Sequence, residues 1–282
     1  MAAHADPLRV SLQVGLYVFF YLLFLTAFAI SGLAAVLGMF AGAAFGVFIS
    51  AVATNILTLR IYEGRSLADI GFHWNRTSAH NLIWGLVGGI ASALFVLAGP
   101  LATHAAALQP GDLQAHFRTF VWVFLMLVFG AAGEEVLFRG YGFQVLLRTT
   151  GPYSTILPVG VLFGLLHAFN PHPSFLSVAN TAAFGVLFGY AFLRSRDLWL
   201  PFGLHFGWNF TLPLFGASVS GLKIGVTGYE MHWNAGTLWS GGEYGPEASL
   251  LCSGVLVALF AFVWKAPIRA QRNLLLDDPV EK

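Results

Sequence analysis

The sequence predicts an all-α, polytopic membrane protein: one bundle of eight transmembrane helices with both termini cytoplasmic. Three observations predict it. The 282 residues are 57% hydrophobic and only 10% charged, against about 25% charged in soluble domains. The apolar runs are long enough to cross a bilayer. The Lys and Arg residues fall on one side of the topology those runs imply. A net charge of +1 leaves no basic field to hold nucleic acid. The single cysteine, Cys252, excludes a disulfide framework and a Cys-based zinc site.

A helix needs about 20 apolar residues, at 1.5 Å each, to cross the hydrocarbon core. From Val14 to Leu59 the chain is apolar almost without break. As one helix it would measure about 70 Å, so it must fold back, near Gly38. Six further runs follow: Leu82–Ala102, Phe120–Leu147, Ser154–Phe169, Phe175–Leu193, Leu198–Phe215 and Ala248–Trp264. Eight crossings put Arg9, Arg60, Arg65, Arg76, Arg148, Arg194, Arg196, Lys265, Arg269, Arg272 and Lys282 on one side. Only Arg118 and Lys223 fall on the other. The positive-inside rule makes the first side cytoplasmic. The first run ends near Ala27-Phe28-Ala29, a loose likeness to a signal-peptide cleavage site. It is long for a signal, and its retention as a span is expected.

Two connections stand out. Glu63–His80 is expected at the cytoplasmic membrane surface, and Gly216–Glu247 forms a long, Gly-rich external loop. No domain boundary or repeat interrupts the chain, which reads as one integral membrane domain over 1–282. GxxxG spacings at Gly38/Gly42/Gly46, Gly160/Gly164, Gly185/Gly189 and Gly203/Gly207 favour close packing inside the bundle over dimerisation.

Ionisable residues inside spans are costly and therefore functional candidates. Glu134, Glu135, Arg139, His167 and His205 qualify, with Asn209 as a neutral partner. Glu135 and Arg139, four apart, meet on one helix face as a structural ion pair. Glu134 lies about 100° away, with Phe138 as its own i+4 neighbour, and needs another partner. Counted from the cytoplasmic ends, Glu134 and His167 are each about 20 Å deep and His205 about 10 Å. That count places their meeting in the cytoplasmic half. Glu134 is then a general base and later an acid, His167 positions water or base, and His205 with Asn209 stabilises an oxyanion. For each histidine alone, a backbone cap or a wet crevice is the better explanation. The set of three reverses that preference. His4, His73, His80, His104, His116, His172 and His232 fall in loops or at interfaces and read as solvated. Glu134, His167 and His205 also match a catalytic zinc set. Without a His-Glu-x-x-His helix, and with Glu134 needed as base, catalysis with no cofactor is favoured, and Zn2+ is the alternative.

These residues carry a family resemblance. Glu134-Glu135-Val136-Leu137-Phe138-Arg139 resembles the EExxxR signature of the CPBP family, the CAAX proteases and bacteriocin-processing enzymes also called Abi. Phe163–His167 resembles its FxxxH motif and His205–Asn209 its HxxxN motif, in the family's order. The resemblance covers a catalytic core of about 120–215. Arg65–Phe72 and Gly241–Glu247 also look like stretches of bacterial members. It implies an intramembrane endopeptidase acting on membrane-embedded or lipid-anchored proteins or peptides, in the inner membrane of a bacterium. By that analogy Glu134 activates water and His167, His205 and Asn209 complete the site. The family has been described both as glutamic and as metalloproteases, so the resemblance leaves the zinc reading open. A rival from another class is a proton-coupled transporter or scaffold using the same Glu/His cluster. No inverted repeat with matching broken helices supports it.

Overall fold

A computed structural model describes residues 6–111 and 116–277; His4 and Lys282 lie outside them. The described residues are mostly helical. The run from Val14 to Leu59 folds back between α1 (Pro7–Ile30) and α3 (Met39–Tyr62). The short α2 (Leu33–Leu37) fills the bend between left-handed Gly32 and Gly38. Then come α4 (Arg76–Ala102), α5 (Phe117–Arg139), α6 (Tyr141–Thr150), α7 (Pro152–Leu166), α8 (Phe175–Ser195) and α9 (Trp199–Leu214). The chain closes with α10 (Thr237–Ser240), α11 (Leu250–Lys265) and α12 (Leu274–Asp277).

Among the described residues, six helical stretches are long and apolar enough to cross a membrane: α1, α3, α4, α5 with α6, α7 with its terminal turn, and α8. The apolar helices α9 and α11 are 16 residues each. Ile30, Phe95 and Val257 point outward, exposed, as the lipid-facing side of an integral membrane bundle requires.

The connections gather at two ends. At one, Arg148 pairs with Glu63, Leu198 donates its N–H to Gly71 O, and Arg196 pairs with Asp277. At the other, a two-stranded antiparallel ribbon joins β1 (Ala106–Pro110) to β2 (Tyr229–Trp233), and His172 pairs with Glu243. The ribbon was not foreseen; it lies inside the two long connections of this end. Glu63–His80 does not simply lie on the surface. Its 3-10 turn Leu67–Ile70 buries Ile70, whose carbonyl accepts from Gln144.

Glycines set the helix spacing. A Cβ on Gly85 would stand 2.5 Å from Leu200 O, and one on Gly89 2.3 Å from Leu204 O. The backbones of α4 and α9 therefore touch, which no larger residue permits. Gly160 and Gly164 of α7 lie equally close to α8. The GxxxG spacings serve contacts within the chain.

The run Phe120–Leu147 is not one continuous helix; it breaks at Gly140. A break inside a bundle frees backbone groups that must find partners. Asn55 of α3 accepts the Tyr141 N–H at 2.7 Å and donates to Val136 O at 3.1 Å. The Tyr17 hydroxyl donates to Leu137 O, and Gln144 Nε2 to Arg139 O. A Cβ at Gly140 would fall 2.2 Å from Val136 O, so the splint requires glycine there. Replacing Asn55 by Leu should cost about 1–3 kcal/mol, because the buried Tyr141 N–H loses its partner and Val136 O keeps only the Tyr17 hydroxyl at 3.3 Å. Thermal unfolding in detergent measures this; an unchanged transition would show that the break needs no splint.

Candidate active site

Three helices each bring polar side chains to one point. Glu134 and Glu135 leave the last turns of α5, His205 leaves α9, and His167 caps the end of α7. Glu134 Oε2 lies 3.8 Å from His205 Nε2 and 3.9 Å from His167 Nε2. That oxygen is buried and has no hydrogen-bond partner among the described residues. Both imidazoles are held from behind. His167 Nδ1 lies 2.8 Å from Phe163 O, one helical turn back, so Nδ1 carries the proton. His205 Nδ1 lies 2.8 Å from Glu135 Oε1, and the Phe188 ring stacks on its face at 5.0 Å.

Glu135 is 1% exposed and Arg139 not at all. Arg139 Nη1 sits 3.3 Å from Glu135, and its Nη2 donates to Gly185 O of α8 at 2.8 Å. Phe138, Phe163 and Phe188 surround the guanidinium at 5.2–5.8 Å, rings whose faces attract a cation. The expected ion pair is present, but Glu135 does more than neutralise Arg139. Its second contact orients His205, so both adjacent glutamates reach the same imidazole through opposite nitrogens.

A cavity of about 740 Å³ meets the cluster. Glu134, His167, His205 and Asn209 all line it, with Asn170 and Ser220. Its remaining wall is mostly apolar, including Val18, Leu22, Phe40 and Leu162. Such a space fits an apolar or membrane-borne ligand with a few polar groups fixing its orientation.

α7 stops at Leu166, and a 3-10 turn carries His167 to Phe169. Pro171 forces the extended backbone of Asn170. His205 reaches the same carboxylate because α9 starts inside the bundle. The turn before it is covered by Gly71 and the C-terminal segment. There Asp197, fully buried, caps α9 through the Trp199 and Leu200 N–H groups and accepts from Asn81 and Gln271. Burial pushes its carboxyl above the usual range, and those donors hold the rise back.

Two Nε2 atoms and one carboxylate oxygen are chemically a zinc donor set. The spacing is somewhat wide for one. Ligands at ~2.1 Å from a tetrahedral zinc stand roughly 3.4 Å apart, less than the 3.8 and 3.9 Å here. Among the described residues no group of three His, Cys, Asp or Glu is arranged to hold a metal ion.

Residues 116–211 match the family model Rce1-like, type II CAAX prenyl endopeptidase Rce1-like. The segment that builds the cluster is thus similar to that family. The match takes in α5 to most of α9, about a third of the chain, including all six polar positions from Glu134 to Asn209. The preceding α1, α3 and α4 and everything after Thr211 lie outside it. No curated protein matches the chain.

Some supporting residues escaped the sequence reading. Asn55 stands as a neutral polar residue in an apolar run, with no motif to mark it as Asn209 is marked. Phe163 contributes a carbonyl, which residue type does not advertise. Glu247 closes the stretch expected as an external loop, yet it is 5% exposed. Burial pushes its carboxyl up, against hydrogen bonds from Ser220.

The two glutamates should separate in a stability assay. Glu135→Ala leaves Arg139 buried without its counter-charge and should destabilise by about 3–5 kcal/mol. Glu134→Ala removes an unbonded carboxylate and should leave the unfolding transition near wild type. Equal losses would contradict this division.

Proposed function

We propose that the chain is an intramembrane endopeptidase of the CAAX-protease type. On this reading it spans the bilayer eight times with both termini cytoplasmic, and cleaves membrane-embedded or lipid-anchored peptides. The observation that carries it is the single oxygen of Glu134 facing two imidazoles on an apolar cavity, within the Rce1-like segment. Separations of 3.8 and 3.9 Å are too long for direct hydrogen bonds and suit a water shared by the three groups. The two ends of the bundle support the topology: Arg60, Arg65, Arg148, Arg194 and Arg196 belong to one, Arg118 and Lys223 to the other.

Glu134 takes a proton from the water as its oxygen attacks the scissile carbonyl carbon. His167, with Nδ1–H committed to Phe163 O, accepts from that water at Nε2 and aims it. The carbonyl oxygen becomes an oxyanion and accepts hydrogen bonds from the Asn209 amide and from Nε2–H of His205. His205 donates from both nitrogens in this step, and Glu135 steadies its charge from behind. The C–N bond then breaks, Glu134 returns the proton to the departing amine, and one water has been consumed. No step requires a metal.

The anchoring of both Nδ1 atoms is also what metal-bound histidines show, so a zinc peptidase on the same three residues is the second reading. It separates cleanly: turnover of a farnesylated CAAX-type peptide by purified protein should survive strong chelators, with no stoichiometric metal bound. Loss on chelation with recovery on adding Zn2+ would reverse the choice.

Glu134→Gln, which keeps the shape but cannot take a proton, should lower kcat at least 10²-fold. His205→Ala or Asn209→Ala should cost about 10²–10³. Cleavage of the same peptide by the folded variants measures both. Wild-type turnover by Glu134→Gln would remove the proposal's base, and proton-driven uptake in liposomes without cleavage would favour a transporter.

A further inference from the structure

The stretch Gly241–Glu247, singled out in the sequence, takes no part in the chemistry above. It ends on a carboxylate that contacts a wall of the reaction cavity. Residues 219–222 form a tight two-residue turn. Val219 N–H donates to Leu222 O at 2.9 Å, and Leu222 N–H to Val219 O at 2.8 Å. Ser220 and Gly221 both have positive φ, 49° and 84°, the pattern of a type I′ turn. Ser220 is unfavourable in that conformation and persists there only if its surroundings hold it.

Glu247 supplies the hold. Its carboxylate accepts the Ser220 N–H on Oε2 and the Ser220 hydroxyl on Oε1 at 3.1 Å. Oε1 also accepts Trp208 Nε1–H at 3.3 Å, and Trp208 directly precedes Asn209 on α9. Glu247 is itself fixed: Asn180 of α8 donates to its backbone carbonyl at 2.8 Å and to Ser249 O at 3.0 Å. Gly221 completes the docking, donating to Tyr244 O at 2.8 Å, where a Cβ would strike Pro171 O. The clasped turn faces the site, for Val219, Ser220 and Leu222 line the same cavity as Glu134, His167 and Asn209.

We propose that Glu247 is a positioning residue for peptide binding: it clasps the Ser220 turn to α8 and α9 and so holds rigid one wall on which the substrate rests. The proposal rests on the peptidase reading. Glu247 makes no hydrogen bond to Glu134, His167 or His205 among the described contacts and meets His167 only through its charge, so its loss should act mainly on binding. In Glu247→Gln the amide NH2 confronts a donor, either the Ser220 N–H or Trp208 Nε1–H, and the clasp opens.

The test uses the full chain in detergent with an internally quenched farnesylated CAAX-type peptide. Glu247→Gln should raise KM about tenfold, the effect of one charge-assisted hydrogen bond, with kcat within about threefold of wild type. Ser220→Ala, which keeps the Glu247–Trp208 bond, should move KM the same way by less and serves if Glu247→Gln folds poorly. Amide hydrogen exchange at 219–222 should quicken in both variants, while the α4 and α9 cores stay protected. Unchanged KM, or a loss confined to kcat, overturns the binding role; unchanged exchange overturns the clasp. If wild type cleaves nothing, the peptidase reading fails and the binding role with it, while the exchange arm still decides whether Glu247 holds the turn.

Discussion

The arrangement depends on one buried anion. Glu135 carries its charge into a bundle where no water is available to solvate it, and an unpaired carboxylate there would cost several kcal/mol. Two partners meet that demand, Arg139 on its own helix and His205 on α9. Arg139 is tied in turn to the α8 backbone and enclosed by three aromatic rings. One carboxylate therefore locks α5, α8 and α9 in register. It also fixes which nitrogen of His205 faces Glu134.

That brace makes the neighbouring glutamate available. Consecutive positions on a helix point about 100° apart, so Glu134 looks into the cavity while Glu135 looks into the protein. The break at Gly140, with Asn55 and Tyr17 completing its hydrogen bonds, turns the chain just beyond both. Close glycine contacts between α4 and α9 and between α7 and α8 bring the histidine-bearing helices within reach. Rigidity is thus paid for in backbone contact and buried polar bonds, and the cavity remains open to a ligand.

Much of this was legible in the chain. Apolar run lengths located the helices because a crossing helix must satisfy its own backbone. The rarity of ionisable residues in those runs marked Glu134, His167 and His205. The i,i+4 spacing announced the pair of Glu135 with Arg139. What stayed hidden were contacts between distant segments. Nothing local says that Glu135 would also meet His205, that Asn55 would bridge a break at residue 140, or that a loop glutamate would be buried. Nor does anything local say that α9 would begin beneath a cap formed by residues 71 and 271. The β ribbon was missed because each strand is five residues long and their partners are more than a hundred apart.

Water supplied by this cluster is the central claim, and isotope transfer tests it most directly. Cleavage of a CAAX-type peptide in 18O-enriched water should place one 18O in the new carboxyl terminus with wild-type protein. The same incubation with Glu134→Gln, folded to the wild-type transition, should yield none. Label appearing at the wild-type rate in that variant, or unlabelled product from the wild type, would contradict the account.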